Sequence, residues 1–185
     1  MAVQFKISAD TAALGRKLED RFIKRGPRAA VAGINRVARS AMTLAVREIQ
    51  ADVGTSSQKT IRRNLSVKPA NGANPEAMLI ARSAKKERIP IFEIRPNPRS
   101  VTKRRPPGGV RYGANGKLIP GSFIAQMKSG HIGVYKRIDD KRIPIAEKFG
   151  PSVARVFSRK KILAKISEFI RAKLPEEINR AMRFT

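Results

Sequence analysis

The sequence predicts an α+β fold, on three observations. A long stretch, about 28–53, repeats its apolar residues at helical spacing. The region from Leu65 to Arg137 breaks into short apolar segments separated by Gly, Pro and Asn. Helical spacing then returns from Lys160. Helices, then short antiparallel strands with a long basic loop, then a C-terminal helix is a segregated pattern, not the regular strand–helix alternation of a Rossmann sheet. A chain of 185 residues is long enough for one domain, 1–185, with a core of its own.

At the start, Val3, Phe5 and Ile7 alternate with polar residues, as in a half-buried strand. Ser8, Asp10 and Thr11 offer capping oxygens to a first helix carrying Leu14, Leu18, Phe22 and Ile23. Gly26-Pro27 ends it, and Pro27 suits the first turn of the next. In the long helix, at 100° per residue, Ala30, Ile34, Val37, Ala41 and Leu44 share one face. Arg28, Arg36, Arg39 and Arg47 lie within about 100° on the opposite side. Such a stripe is either solvated or a rail for phosphate or an acidic neighbour, and an all-Arg stripe favours bidentate recognition. Ala30, Ala38, Ala41 and Ala45 permit close packing, and Gly54 is a suitable stop.

Thr55-Ser56-Ser57-Gln58 can cap a short helix through Ile61 and Leu65. Leu65–Val67, Ala77–Ala81 and Ile89–Ile94 read as short strands, with Pro90 confining the last to an edge or a strand start. Residues 95–109 hold Arg95, Arg99, Lys103, Arg104 and Arg105 among four prolines and read as an extended basic arm. An arm reaching into a groove or lumen and a solvated loop fit this composition equally. Val110–Tyr112, Lys117–Ile119, Ser122–Met127 and Ile132–Arg137 read as tightly connected antiparallel strands. Gly150-Pro151-Ser152 reads as a turn and cap leading to Val153, Val156 and Phe157. In the last helix Ile162, Ile166, Phe169 and Ile170 point inward, and Pro175 is expected to kink or break it, with Ile178 and Met182 continuing beyond.

The charge is the outstanding feature of the composition. Forty Lys and Arg stand against fourteen Asp and Glu, a net charge of +26. No acid occurs from Ile94 to Ile138, where ten bases do, and none from Val53 to Pro75. A one-signed surface repels itself unless something negative neutralises it, so an anionic partner is expected. With 41% hydrophobic residues the chain is not a disordered polycation. The absence of cysteine excludes disulfides and thiolate chemistry, and a single histidine, His131, excludes multi-histidine metal sites. No apolar run approaches the ~18 residues of a membrane span, and the first residues lack a signal-peptide pattern. A soluble, intracellularly made protein without membrane contact is therefore expected.

The stretch from Gly121 to Arg137, GSFIAQMKSGHIGVYKR, and Pro144 to Val153, PIAEKFGPSV, carry the most specific signal. With Asn35-Arg36-Val37-Ala38-Arg39-Ser40, Ala45-Val46-Arg47-Glu48-Ile49 and Lys59-Thr60-Ile61-Arg62-Arg63, they resemble the minor tail protein Z (tail completion) family of lambda-like tailed phages and prophages. The resemblance covers most of 28–157 and not the basic arm. It implies a non-enzymatic virion component in the tail or neck, assembled in the host cytoplasm near the end that joins the head. The implied partners are the tail terminator and the head–tail connector. It further implies a homo-oligomeric ring, commonly sixfold, with no cofactor and no metal. On this reading Phe123, Ile124, Ala125, Gly130, His131, Gly133, Val134, Tyr135, Arg137, Glu147, Gly150, Pro151 and Ser152 form an assembly motif.

Physically, Phe123, Met127, Val134 and Tyr135 supply apolar area on strands, and Gly130 and Gly133 allow tight turns or close approach. His131 suits a hydrogen-bonded turn residue better than a pH-sensitive interface group. Glu147, a rare acid, is expected to pair with an Arg. The stripe arginines and the arm's five bases are candidates for genome DNA or acidic protein. Two other classes compete. A sequence-independent nucleic-acid binder of ribosomal or nucleoid type fits the charge, but the arm contains no aromatic residue for base stacking. A Mg²⁺-dependent nuclease would need Asp139, Asp140 and Glu147 together, whereas Asp139-Asp140 before Lys141 looks like a polar hairpin tip.

Overall fold

The computed structural model describes residues 2–8, 26–82, 88–94, 108–113 and 116–184. The first predicted helix (Leu14 to Ile23) and the basic arm with Arg95, Arg99, Lys103, Arg104 and Arg105 lie outside the described residues. The elements in order are β1 (Ala2–Ser8), α1 (Gly26–Val53), α2 (Lys59–Asn64), β2 (Leu65–Lys68), β3 (Glu76–Arg82) and β4 (Arg88–Pro90) with a 3₁₀ turn at Ile91–Glu93. Then come β5 (Gly109–Tyr112), β6 (Lys117–Pro120), β7 (Ser122–Gln126), β8 (Ile132–Arg137), β9 (Ile145–Ser152), α3 (Val153–Phe157) and α4 (Lys160–Phe184). The architecture is α+β, with a long N-terminal helix, antiparallel sheets and a C-terminal helix.

The apolar stripe of α1 becomes the centre of the main core. Ile34, Val37, Ala38, Ala41, Ala45, Val46 and Ile49 are buried, while Leu44 is only half-buried. Small side chains let α4 lie against α1, and at Gly33 the approach leaves no room for a side chain, since an added Cβ would stand 3.0 Å from the backbone of Ile178. From α4, Ile162, Ile166, Ile170, Ile178 and Ala181 turn inward. Of the kink or break expected at Pro175, the break does not occur, and α4 runs through it as one helix. Proline removes one intrahelical hydrogen bond, but buried residues on both sides of it keep the helix packed on the core.

One sheet, in the order β1-β3-β2, is antiparallel throughout and sends Ala77, Leu79 and Ala81 into the same core. The loop between β2 and β3 is fastened to α1 by Asn35, whose amide donates to Ala70 O at 2.9 Å and accepts from Ala70 N at 2.7 Å. Gly54 (φ +73°) ends α1, as expected, with its N–H on Gln50 O. The cap of α2 is partial: Ser57 Oγ accepts from Lys59 N, and the helix closes before Leu65, which opens β2.

The second sheet has the order β4-β9-β8-β7. β4 is its edge strand, the position that Pro90 allows, and the predicted strand from Ile89 to Ile94 is cut short by the 3₁₀ turn. The expected turn at Gly150-Pro151 is instead the end of β9. Gly150 lacks the Cβ that would meet Ile94 Cδ1 at 2.7 Å and Ile89 O at 3.0 Å, so β4 can pair closely there. Ser152 is the cap, accepting from Arg155 N. Beside this sheet the β5–β6 hairpin closes a small core of Ile91, Val110, Ile124 and Val134. Ser122, fully buried, stitches it by accepting from Val110 N at 3.0 Å and donating to Ile119 O at 2.6 Å.

Candidate functional site

The residues of the 121–153 motif separate by strand parity, because neighbours along a strand face opposite ways. Ile124 and Val134 are paired across β7 and β8 and sit inside the small core. They hold the sheet, so the apolar area expected of Val134 goes to the core and not to the surface of the motif. Phe123, Ala125, Gly133, Tyr135, Arg137 and Glu147 occupy the other face, with Phe123, Tyr135 and Glu147 in one cross-strand row.

On this face the rings of Phe123 and Tyr135 lie 6.3 Å apart and tilted by 36°. The Arg137 guanidinium stands 5.8 Å from the Phe123 centroid, within range of a cation–π attraction. Tyr135 is buried and Phe123 half-buried. Glu147 does not pair with an arginine. Its Oε1 meets His131 Nε2 at 2.8 Å. Gly133 makes this possible, since a Cβ there would lie 2.8 Å from Glu147 Oε1 and 3.1 Å from the Tyr135 ring. Burial and then the Glu147 carboxylate both raise the Tyr135 hydroxyl above its ordinary pKa of 10.0. His131 also closes the β7–β8 turn, its carbonyl accepting from Met127 N, while Gly130 takes φ +80°. The turn-residue reading of His131 therefore describes its backbone, and the pairing with Glu147 describes its side chain.

Gly150, Pro151 and Ser152 lie elsewhere. With the C-terminal end of α1 they line a cleft of about 590 Å³ that also carries Arg88, Lys117, Arg155 and Arg159. Arg159 pairs with Asp52 at its wall. The sequence reading passed over these four bases because they are scattered over three regions of the chain and form no run.

The arginine stripe of α1 is exposed at Arg28, Arg36, Arg39 and Arg47. Its members are not equivalent. Arg36 Nη1 is 3.1 Å from Glu177 Oε2 on α4, whereas Arg28, Arg39 and Arg47 have no carboxylate partner among the described residues.

The family model for prophage minor tail protein Z matches residues 16–185. The chain belongs to that family. It is thus a structural protein of the phage tail. No curated protein and no solved structure matches it. In this minor tail protein the three acids that a nuclease would need are drawn apart in role. Asp139 and Asp140 lie in the bend between β8 and β9, and Glu147 is turned onto His131. Among the described residues no three His, Asp or Glu side chains gather as a metal site, and no helix is long and apolar enough to cross a membrane.

Proposed function

We propose that this minor tail protein completes the tail at its head-proximal end as an oligomeric ring, six copies being the number the family resemblance implies, in contact with the tail terminator and head–tail connector. The family match over 16–185 carries the proposal. The face bearing Phe123, Tyr135, Arg137, His131 and Glu147, held by a sheet with its own small core, supports a rigid docking surface for those neighbours. Arg39 and Arg47, exposed and without internal partners among the described residues, face fixed negative charge: the genome DNA backbone or the acidic surface of an adjoining ring protein. The charge reads no sequence, because phosphate contacts position a protein without specifying bases.

The test is head joining in a phage whose gene for this chain is disrupted. Tails made without it fail to join filled heads, and purified chain added back restores infectious particles. Normal joining in its absence refutes the proposal. The two anionic partners separate by salt. Binding to duplex DNA of unrelated sequences falls steeply between low and moderate salt if phosphate is met, whereas salt-independent binding or none leaves the acidic protein.

A further inference from the structure

We infer that the cleft lined by Arg88, Lys117, Arg155 and Arg159 receives an acidic segment of another tail protein, one in which carboxylates flank apolar side chains. The inference rests on the chain being a tail protein and is independent of the ring and of its place along the tail. The charge of the cleft, its walls and the charge pattern of the chain itself carry it.

The cleft gathers bases that the sequence keeps apart. Arg88 comes from β4, Lys117 from β6, Arg155 from α3 and Arg159 from the turn between α3 and α4. Asp52, from the end of α1, is the carboxylate in the lining, and Arg159 takes it. Arg88, Lys117 and Arg155 are exposed and have no carboxylate partner among the described residues. The fold answers other exposed bases from distant elements, Arg36 with Glu177 and Lys165 with Glu48, but leaves these three open around one hollow. A hollow lined by one sign of charge focuses its field, so an anion entering it is drawn more strongly than at a convex basic surface.

Charge alone suits phosphate as well as carboxylate, and the walls decide between them. Tyr112 and Phe149 line the cleft half-buried, with Ile94 buried beside them. A duplex keeps its bases stacked inside and offers these rings only sugar and phosphate. A peptide with an apolar side chain between acids offers the rings an apolar group and the guanidinium forks of Arg88 and Arg155 a carboxylate each. The volume of about 590 Å³ lies within the roughly 300–1,000 Å³ of small-ligand clefts, which is room for a few side chains.

This chain has no such segment to give. Its adjacent acid pairs are Glu19-Asp20, Asp139-Asp140 and Glu176-Glu177, and each has two or more bases within three residues. No stretch around them is net acidic, so the occupant comes from a different protein.

The first test uses a short fluorescent peptide of glutamates interrupted by two phenylalanines, with a glutamine-for-glutamate peptide as its neutral twin. By fluorescence anisotropy the acidic peptide should bind, and Lys117→Gln/Arg155→Gln should weaken it by about tenfold or more, since two charge-assisted contacts are lost. Arg171→Gln/Arg183→Gln removes the same charge from α4, roughly 16 Å of helix or more beyond Lys160. Salt screens that distance, so affinity should stay within about twofold. Circular dichroism checks the fold of each variant, and Arg88→Gln replaces the cleft pair should that pair fail to fold. Equal weakening by both double variants would mean that net charge alone attracts the peptide. Equal binding of the neutral twin, or displacement by inorganic phosphate or duplex DNA at the peptide's own concentration, would mean a different ligand. Each of these results overturns the inference.

The second test reads the occupant in the tail. Ala51 is exposed in the cleft wall, and the chain has no cysteine, so Ala51→Cys takes a benzophenone maleimide at that point alone. After the labelled chain is assembled into tails, illumination should join it to a net acidic stretch of a different tail protein, identified by mass spectrometry. Joining to a second copy of this chain, to DNA or to nothing overturns the inference and leaves the ring reading untouched. Normal head joining without the chain would refute that reading and leave both results here standing.

Discussion

Gly33 lies where α1 and α4 touch, and replacing it with alanine sets two known effects against each other. Helix propensity favours alanine over glycine by about 1 kcal/mol in a helix interior. The added methyl carbon, however, would stand 2.8 Å from Ile178 Cγ1 and 3.0 Å from both the Cα and N of Ile178. The side-chain atom can rotate away, but the backbone atoms move only if α4 shifts as a unit. Overpacking costs about 1–3 kcal/mol, and with two of the three close contacts on backbone the upper part, about 2–3 kcal/mol, applies; less the propensity gain, the net expectation for Gly33→Ala is a loss of about 1–2 kcal/mol. In a chain of this size that lowers the melting temperature by about 2–8 °C. Ala32→Gly, one residue earlier and exposed, isolates propensity and should cost about 1 kcal/mol. Adding Ile178→Ala to Gly33→Ala should not restore stability, because two of the three close contacts are with backbone. Urea denaturation followed by far-UV circular dichroism measures all four chains. A Gly33→Ala protein as stable as wild type or more so would show that α4 yields freely, and the close-packing account of this helix pair would be refuted.

Tyr135 should release its proton above pH 10, since burial and the Glu147 carboxylate both oppose the phenolate. Because the folded pKa lies above the unfolded one, the stability it contributes is fully present below about pH 10 and is lost as pH rises through the higher folded value. Ultraviolet titration checks this, with Glu147→Gln expected to bring the ionisation down; loss of the proton at the ordinary pH in the native protein would contradict it. Arg39→Gln/Arg47→Gln should leave stability within about 0.5 kcal/mol, as for other exposed substitutions. If DNA is the partner, it should also flatten the slope of log affinity against log salt by about two, one per removed phosphate contact. An unchanged slope would remove these arginines from any DNA interface.

Much of the fold is legible in local pattern. The stripe Ala30, Ile34, Val37 and Ala41 repeats at a spacing set by the helix itself, and it is the buried side of α1. The glycines from Gly108 to Gly130 mark turns because several take φ values that side chains resist, and the strands between them stand where they were expected. No break occurs at Pro175 because its cost is local while the packing that holds the helix on both sides comes from α1. The turn expected at Gly150 misled for the same kind of reason: glycine there serves the approach of β4, which lies far away in sequence. Which face Val134 takes is not legible locally, because strand parity decides it and parity has no meaning until the strand's partners and the buried side are known.

The family, the excess of positive charge and the two faces of α1 were determined by the sequence alone. Each depends on residue identity or on neighbours within one or two helical turns. Which charges remain free was decided only by the tertiary structure. Glu177, 141 residues away, neutralises Arg36 and leaves Arg39 and Arg47 open. His131 takes Glu147 across a strand, and Asp52 meets Arg159 across 107 residues at the wall of a cleft that no local motif announces. Ion pairs form over a few ångströms of space, and the chain sets those distances only when helices and strands pack.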